Sequence, residues 1–356
     1  MTTRPKYRIA TIPGDGIGKE VIPAGQHAVD AVSKRHGFDV VWDEFDWSCE
    51  RFAESGRMMP HDGIAQVKSH DAIYLGAVGF PGVPDHISLW GLLIPLRREL
   101  DQYANVRPVR LLRGIRSPLE GRGAEDIDFV VVRENVEGEY SEVGGRIYEG
   151  TEREAVVQEA VFTRHGVDRI MDFAFELAER RPRRHVTSAT KSNGIVHTMP
   201  FWDERFRAAA ERHPDVETAQ YHIDILTAHF VLHPDWFDVV VASNLFGDIL
   251  SDLGPAVAGS IGIAPAANIN PTRSFPSMFE PVHGSAPDIA GRGIANPIGA
   301  IWSAAMMLEH LGHPEAAQDL EAGIERSLST PQSRTRDLGG SADMETALSA
   351  ILDGLP

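Results

Sequence analysis

Short apolar runs alternate along the chain with longer stretches in which apolar residues recur at helical spacing. The runs Tyr7–Ile12, Ala72–Leu75, Ile127–Val132, His185–Ser188 and Phe237–Ala242 predict strands. They predict mostly central, parallel strands. Between them, Gly18–Arg35, Val167–Arg180 and Met199–Arg212 predict amphipathic helices. The tail predicts three more, Pro297–Leu311, Pro314–Ser327 and Asp343–Leu352, each with Pro or Asp near its start. Alternation of this kind defines a layered α/β protein.

Two stretches break the pattern. The glycine-rich segment Gly138–Glu152 has poor helix propensity and alternates polar with aromatic residues, predicting a hairpin or extended arm. Leu253–Pro271, rich in Gly, Ala and Pro, predicts a crossover between domains or a closely packed loop.

Composition narrows the class. At roughly 150 residues per domain, 356 residues predict two domains with sizeable cores. Thirty-four Lys and Arg against 51 Asp and Glu give a net charge of −17, which disfavours nucleic acid and anionic membrane as partners. The lone Cys49 rules out an intrachain disulfide and cysteine-based zinc, and fits a reducing cytoplasm. No export signal or membrane span is expected.

The predicted strands end at polar residues: Gly76–Gly79, Arg133, Lys191, and Asn244 with Asp248. Ligands of open parallel sheets gather beyond such ends. In NLFGDILSDLG, Asp248 and Asp252 stand i and i+4 if a helix starts near Gly247. They repel unless solvated, and a hard cation such as Mg²⁺ or Mn²⁺ would turn that repulsion into binding. Asp224, within the apolar HIDILTAHFVL, is the candidate third carboxylate; its alternative is a helix N-terminal aspartate. Arg97 and Arg107, with Arg133, form a candidate positive island for a dianionic substrate, while Arg98 reads equally as half of a surface ion pair. EPVHGSAPDIAGRGIANP, from Glu280 to Pro297, reads as a connecting loop or as one that wraps a nucleotide, using His283 and Asn296, with Asp288 accepting from a ribose. Gly14-Asp15-Gly16-Ile17-Gly18 is not a dinucleotide fingerprint, because position 19 is Lys19; it reads as a tight turn into a helix.

In order, IPGDGIG, NLFGDILSD and FEPVHGSAPDIAG resemble the β-decarboxylating dehydrogenases, the family of 3-isopropylmalate, isocitrate, tartrate and D-malate dehydrogenases. DHISLWG, DIDFVVVRENVEGEY and HVTSATKSNG are most similar to the tartrate and D-malate branch. The resemblance implies an isopropylmalate dehydrogenase-like α/β fold, not Rossmann: a cofactor domain from residues 1–104 and 255–356, a central domain 105–254, and a cleft holding the active site. It further implies a homodimer with shared sites, interlocked by an arm at about 138–165.

By motif, Arg97, Arg107 and Arg133 match substrate-carboxylate arginines, with Trp90 beside the substrate; Tyr140 and Lys191 match the acid–base pair. Asp248 and Asp252 match metal ligands, and Asp224, like Lys191, a contribution to the neighbouring subunit's site. Glu280, His283, Gly284, Ser285, Ala286, Asp288 and Asn296 match the NAD loop. The implied cofactors are NAD and Mn²⁺ or Mg²⁺, with K⁺ as a further candidate. The implied reaction is oxidative decarboxylation of D-malate, with tartrate also oxidised; the alternatives are 3-isopropylmalate oxidation and a silent regulatory subunit. One departure is LLIPL at Leu92–Leu96, whose leucines resemble the apolar contact surface of isopropylmalate enzymes.

Overall fold

The computed structural model describes residues 4–356. Its strands are β1 (Lys6–Gly14), β2 (Asp39–Glu44), β3 (Ala72–Ala77), β4 (Ala104–Arg110), β5 (Asp128–Glu134), β6 (Gly144–Ile147), β7 (Ala155–Gln158), β8 (His185–Thr190), β9 (Glu217–His222), β10 (Val239–Ala242), β11 (Pro265–Ile269) and β12 (Ser277–Pro281). The chain forms two compact units. An end unit takes the segment running to Gln102 together with Arg110–Ala124 and Pro255–Pro356; a central unit takes Tyr103–Val109 and Glu125–Gly254.

In the end unit the strand order is β2-β1-β3-β12-β11, parallel except for the last pair. Helices Gly18–His36, Ile298–His310 and Pro314–Ser329 pack together. The turn after β1 is built on glycine. Gly16 sits at φ +54°, and a Cβ there would lie 2.1 Å from the Ser285 carbonyl oxygen, which accepts from Ile17 N at 2.9 Å. Between these glycines, Asp15 is fully buried and accepts from the backbone N–H groups of Cys49, Glu50 and Gly79. That carboxylate holds the turn and the start of helix Cys49–Ser55 in place. Burial, then Asp15, pushes the Cys49 thiol up to about 12, so it stays protonated.

The segment DHISLWGLLIPLRRE forms helix Asp85–Ser88, a π-helical turn Leu89–Leu93 and helix Ile94–Glu99. Leu92 and Leu96 are fully buried in the end-unit core with Ile12, Trp47, Ile73 and Leu75, and Leu93 packs against that core. Leu92 and Leu96 therefore offer no surface to a substrate, while Leu93 stays partly exposed. Leu92 and Leu96 face inward, where each contributes roughly 1.5–3 kcal/mol.

In the central unit the order is β4-β5-β10-β8-β9, with β5, β10, β8 and β9 parallel. Thr163 caps helix Arg164–Glu179, whose buried face includes Val167, Ile170, Met171 and Ala174. The glycine-rich segment is a hairpin, as expected, but it reaches further: β6 pairs antiparallel with β7, and Gly138 bridges Val161. Every residue of β6 and β7 is exposed. Part of the stretch read as a crossover or loop is regular: helix Asn244–Val257 continues into it and β11 lies within it. No helix among the described residues is long and apolar enough to cross a membrane.

Candidate active site

Five of the residues singled out by sequence converge in the central unit. Arg133, at the end of β5, is 2% exposed. It passes against helix Asn244–Val257 where Gly247 has no side chain; a Cβ there would lie 2.5 Å from the Arg133 Cβ. Its Nε and Nη2 donate to Asn244 Oδ1 at 3.1 and 2.7 Å, and its Nη1 donates to Asp248 Oδ1. Arg107, on β4, donates from Nε to Asn105 Oδ1 at 2.9 Å. Its Nη2 lies 3.9 Å from Asp248 and its Nη1 3.7 Å from Asp252. Tyr140 donates from its hydroxyl to Asp248 Oδ2 at 2.8 Å, and its ring centroid is 5.5 Å from the Arg133 guanidinium.

The helix begins at Asn244, three residues before the expected start, and places Asp248 and Asp252 one turn apart on the same face. Burial raises the Asp252 carboxyl above the ordinary range, opposed by Arg107 and reinforced by the Asp248 charge. Burial, then the hydrogen bond to Asp248, pushes the Tyr140 phenol up to about 12. Since its ordinary value is 10, the phenol is protonated throughout the neutral range and is available as a proton donor.

Two carboxylates facing two guanidinium groups make an oxygen-only donor set, which suits a hard divalent cation in contact with a substrate carboxylate. Among the described residues, no third histidine, cysteine or acidic side chain joins them closely enough to complete a metal site. Asp224 instead opens helix Ile223–Leu232 and accepts from Lys191 Nζ at 2.8 Å. That hydrogen bond holds the Asp224 carboxyl below its usual range.

The remaining candidates lie in the end unit. Arg97 forms a buried ion pair with Glu280 at 3.1 Å, and Asn268 donates to the same Glu280 oxygen at 2.7 Å. The buried Arg97 Nε has no hydrogen-bond partner among the described residues. Arg98 places its guanidinium 5.1 Å from the Trp90 ring, a cation–π contact. The loop after β12 is pinned at intervals: Gly291 and Gly293 donate to Glu20, and Asn296 accepts from Ile298 N and donates to Asp337. Ala286 holds φ +41° there, a strained backbone for a residue with a Cβ. Gly284 and Asp288 are exposed, whereas Ser285 is buried. His283 Nδ1 meets the Gly284 carbonyl, while its buried Nε2 has no partner among the described residues. Burial lowers the His283 pKa, leaving a neutral ring with one ring nitrogen unused. An orphaned buried nitrogen in a loop pinned on both sides fits a nucleotide-binding role.

Asn244, Glu20 and Asp337 shape these groups, yet sequence assigned none of them a site role. Only Asn244, at a strand end, gave a signal.

The chain matches the isocitrate/isopropylmalate dehydrogenase family over residues 8–352, and it belongs to that family of dehydrogenases. It is an enzyme. Among its relatives, it is 58% identical over 351 residues to the D-malate dehydrogenase (decarboxylating) of Escherichia coli strain K12, covering 97% of each chain. It is 57% identical over 357 residues to the tartrate dehydrogenase/decarboxylase of Pseudomonas putida, covering 98% of each. The crystal structure of isocitrate dehydrogenase from Methylococcus capsulatus superimposes with a TM-score of 0.88 at 34% identity, covering 98% of each chain.

Proposed function

We propose that this protein catalyses the NAD⁺- and divalent-metal-dependent oxidative decarboxylation of D-malate to pyruvate and CO₂, and that it also oxidises tartrate. The observation that carries this is the convergence of Arg107, Arg133, Tyr140, Asp248 and Asp252 in one cluster. A chain whose relatives act on D-malate and tartrate thus has the groups needed to hold and protonate a small hydroxy diacid. When bound, NAD⁺ supplies the hydride acceptor and Mn²⁺ or Mg²⁺ the Lewis acid for hydroxyl and carbonyl oxygens, with K⁺ as a further candidate cation.

The chain's own residues do the rest. Asp248 and Asp252 are the metal ligands, and Asp224 is the third, given by a second subunit. Arg107 and Arg133 grip the substrate carboxylates, an orientation effect as much as an affinity one; Arg97 is assigned to the same task by motif. Lys191, working through water from the neighbouring subunit, removes the hydroxyl proton as hydride leaves C2. Loss of CO₂ from the resulting β-keto acid leaves an enolate, and Tyr140 gives its proton to carbon. Glu280, His283, Gly284, Ser285, Ala286 and Asn296 hold the nucleotide. Asp288 accepts from the adenosine ribose, where it would repel the 2′-phosphate of NADP⁺.

A homodimer is part of this proposal. A hairpin with every strand residue exposed, Val156 at 68% and Ile147 at 59%, is at best marginally stable alone in water and is supported by a partner that covers it. We place the enzyme in the cytoplasm, without nucleic-acid or membrane partners, in keeping with its single buried cysteine and its net charge of −17.

NADH formation with Mn²⁺ across D-malate, both tartrates, isocitrate and 3-isopropylmalate tests the proposal. D-malate is expected to show at least about a tenfold higher kcat/KM than 3-isopropylmalate: the bulk of Trp90 opposes a branched substituent, and each unaccommodated methylene is worth about 1–3 kcal/mol. NAD⁺ is expected to be preferred to NADP⁺. A clear advantage for 3-isopropylmalate would move the enzyme to that substrate, and no turnover with any acid would leave a silent subunit.

A further inference from the structure

The sequence RENVEGEY, from Arg133 to Tyr140, contains two residues with assigned roles and three glutamates with none. Glu134 and Glu137 serve local structure. Glu134 accepts from Val136 N and Glu137 N, and Glu137 accepts from Thr163 at the start of helix Arg164–Glu179. Glu139 is different, because its partners belong to the helix that carries Asp248 and Asp252. Its Oε1 accepts from Ser243 Oγ at 2.7 Å, and its Oε2 accepts from Leu245 N at 3.0 Å.

Ser243 precedes that helix, the position from which a serine usually caps its own N–H groups. Here its hydroxyl donates to Glu139, and the other Glu139 oxygen accepts the Leu245 N–H in the first turn, so Glu139 caps the helix. The first turn of the helix has no acidic residue, so the negative charge favoured at its N-terminus comes from the Tyr140 loop. The same loop touches the helix at two further points: Asn244 Nδ2 donates to the Glu137 carbonyl at 2.9 Å, and Tyr140 donates to Asp248 at 2.8 Å. Gly138, at φ +90°, makes the approach possible and is tied by two backbone hydrogen bonds to Val161 at the base of the hairpin.

Building on the metal assignment above, we propose that Glu139 is a positioning residue: it locks the Tyr140 loop onto the N-terminus of the helix that presents Asp248 and Asp252 to the cation, holding that helix end in place and fixing Tyr140 relative to both carboxylates. Partners that orient metal ligands commonly carry a tenfold or larger share of metal affinity, and loss of Glu139 is expected to cost about that much.

Equilibrium Mn²⁺ binding, read from the free-ion electron paramagnetic resonance signal, tests this alongside thermal unfolding and steady-state kinetics. Glu139→Ala is expected to weaken Mn²⁺ binding about tenfold and to lower kcat at saturating Mn²⁺ and substrate. Glu139→Gln, which keeps an acceptor for one donor, is expected to fall between it and the wild type. A cap that only stabilised the fold would lower the melting temperature and leave Mn²⁺ affinity and saturated kcat intact, which would overturn the proposal. If Glu139→Ala does not fold, Glu139→Gln carries the test by the same criterion. Asp252→Asn serves as the control: if it too binds Mn²⁺ normally, the metal assignment itself is wrong, whereas weakened Asp252→Asn with normal Glu139 variants rejects Glu139 alone.

Discussion

Replacement of Lys191 by Met is expected to lower the rate of D-malate oxidation by about 10²–10⁴-fold, the usual contribution of a positioned general base. Tyr140→Phe is expected to fail at a different step. Its phenol, held protonated by burial and by Asp248, is the proposed donor to carbon after CO₂ is lost. Oxaloacetate, the keto acid from D-malate, separates the two. Supplied directly, it should be decarboxylated to pyruvate by Lys191→Met at close to the wild-type rate and slowly by Tyr140→Phe. Neither change should unfold the protein. The Lys191–Asp224 pair is partly exposed, at 30% and 68%, so its loss costs little stability. Stopped-flow and steady-state assays of pyruvate release check this; minor and equal losses in both variants would reject the assigned roles.

Removal of the divalent cation should abolish turnover, and Mn²⁺ or Mg²⁺ should restore it. Asp252→Asn should raise the half-saturating Mn²⁺ concentration by at least about tenfold while leaving the melting temperature unchanged or slightly higher. The stability argument runs opposite to the affinity argument. The Asp252 charge is desolvated and faces Asp248 one turn away, against an attraction to Arg107 at 3.7 Å; relieving the i,i+4 repulsion alone is worth roughly 0.2–0.5 kcal/mol. Loss of metal affinity without loss of fold is the signature of a ligand rather than a scaffold residue. Full activity in excess chelator would exclude the assignment.

The parts of this protein most legible in its sequence are those where one physical demand dominates. Strands buried on both faces favour continuous apolar runs, so β3, β5 and β10 announce themselves. Asp248 and Asp252 are legible because four residues on a helix is a distance as well as a spacing. The strands β2 and β9 are not, because the sequences DVVWDE and ETAQYH lie at sheet edges where polar residues are tolerated. Leu92 and Leu96 misled for the opposite reason: an apolar run beside arginines reads equally as a binding surface or a core. Only the π-helical turn and the packing against Ile12 and Trp47 show that the side chains face inward. Glu139 was invisible as a functional residue because its partners lie more than a hundred positions away.

The pairing of Lys191 with Asp224, separate from Asp248 and Asp252, has a consequence for inheritance of activity between subunits. In a dimer that shares its sites as proposed, a lesion in Lys191 damages the partner's site, whereas a lesion in Asp252 damages its own. Unfolding and refolding inactive Lys191→Met and Asp252→Asn proteins together should therefore create hybrids in which one site carries both lesions and the other none. Random pairing makes about half the dimers hybrid, so about a quarter of wild-type activity should reappear from two dead parents. Two chains that each kept a whole site to themselves would stay dead when mixed.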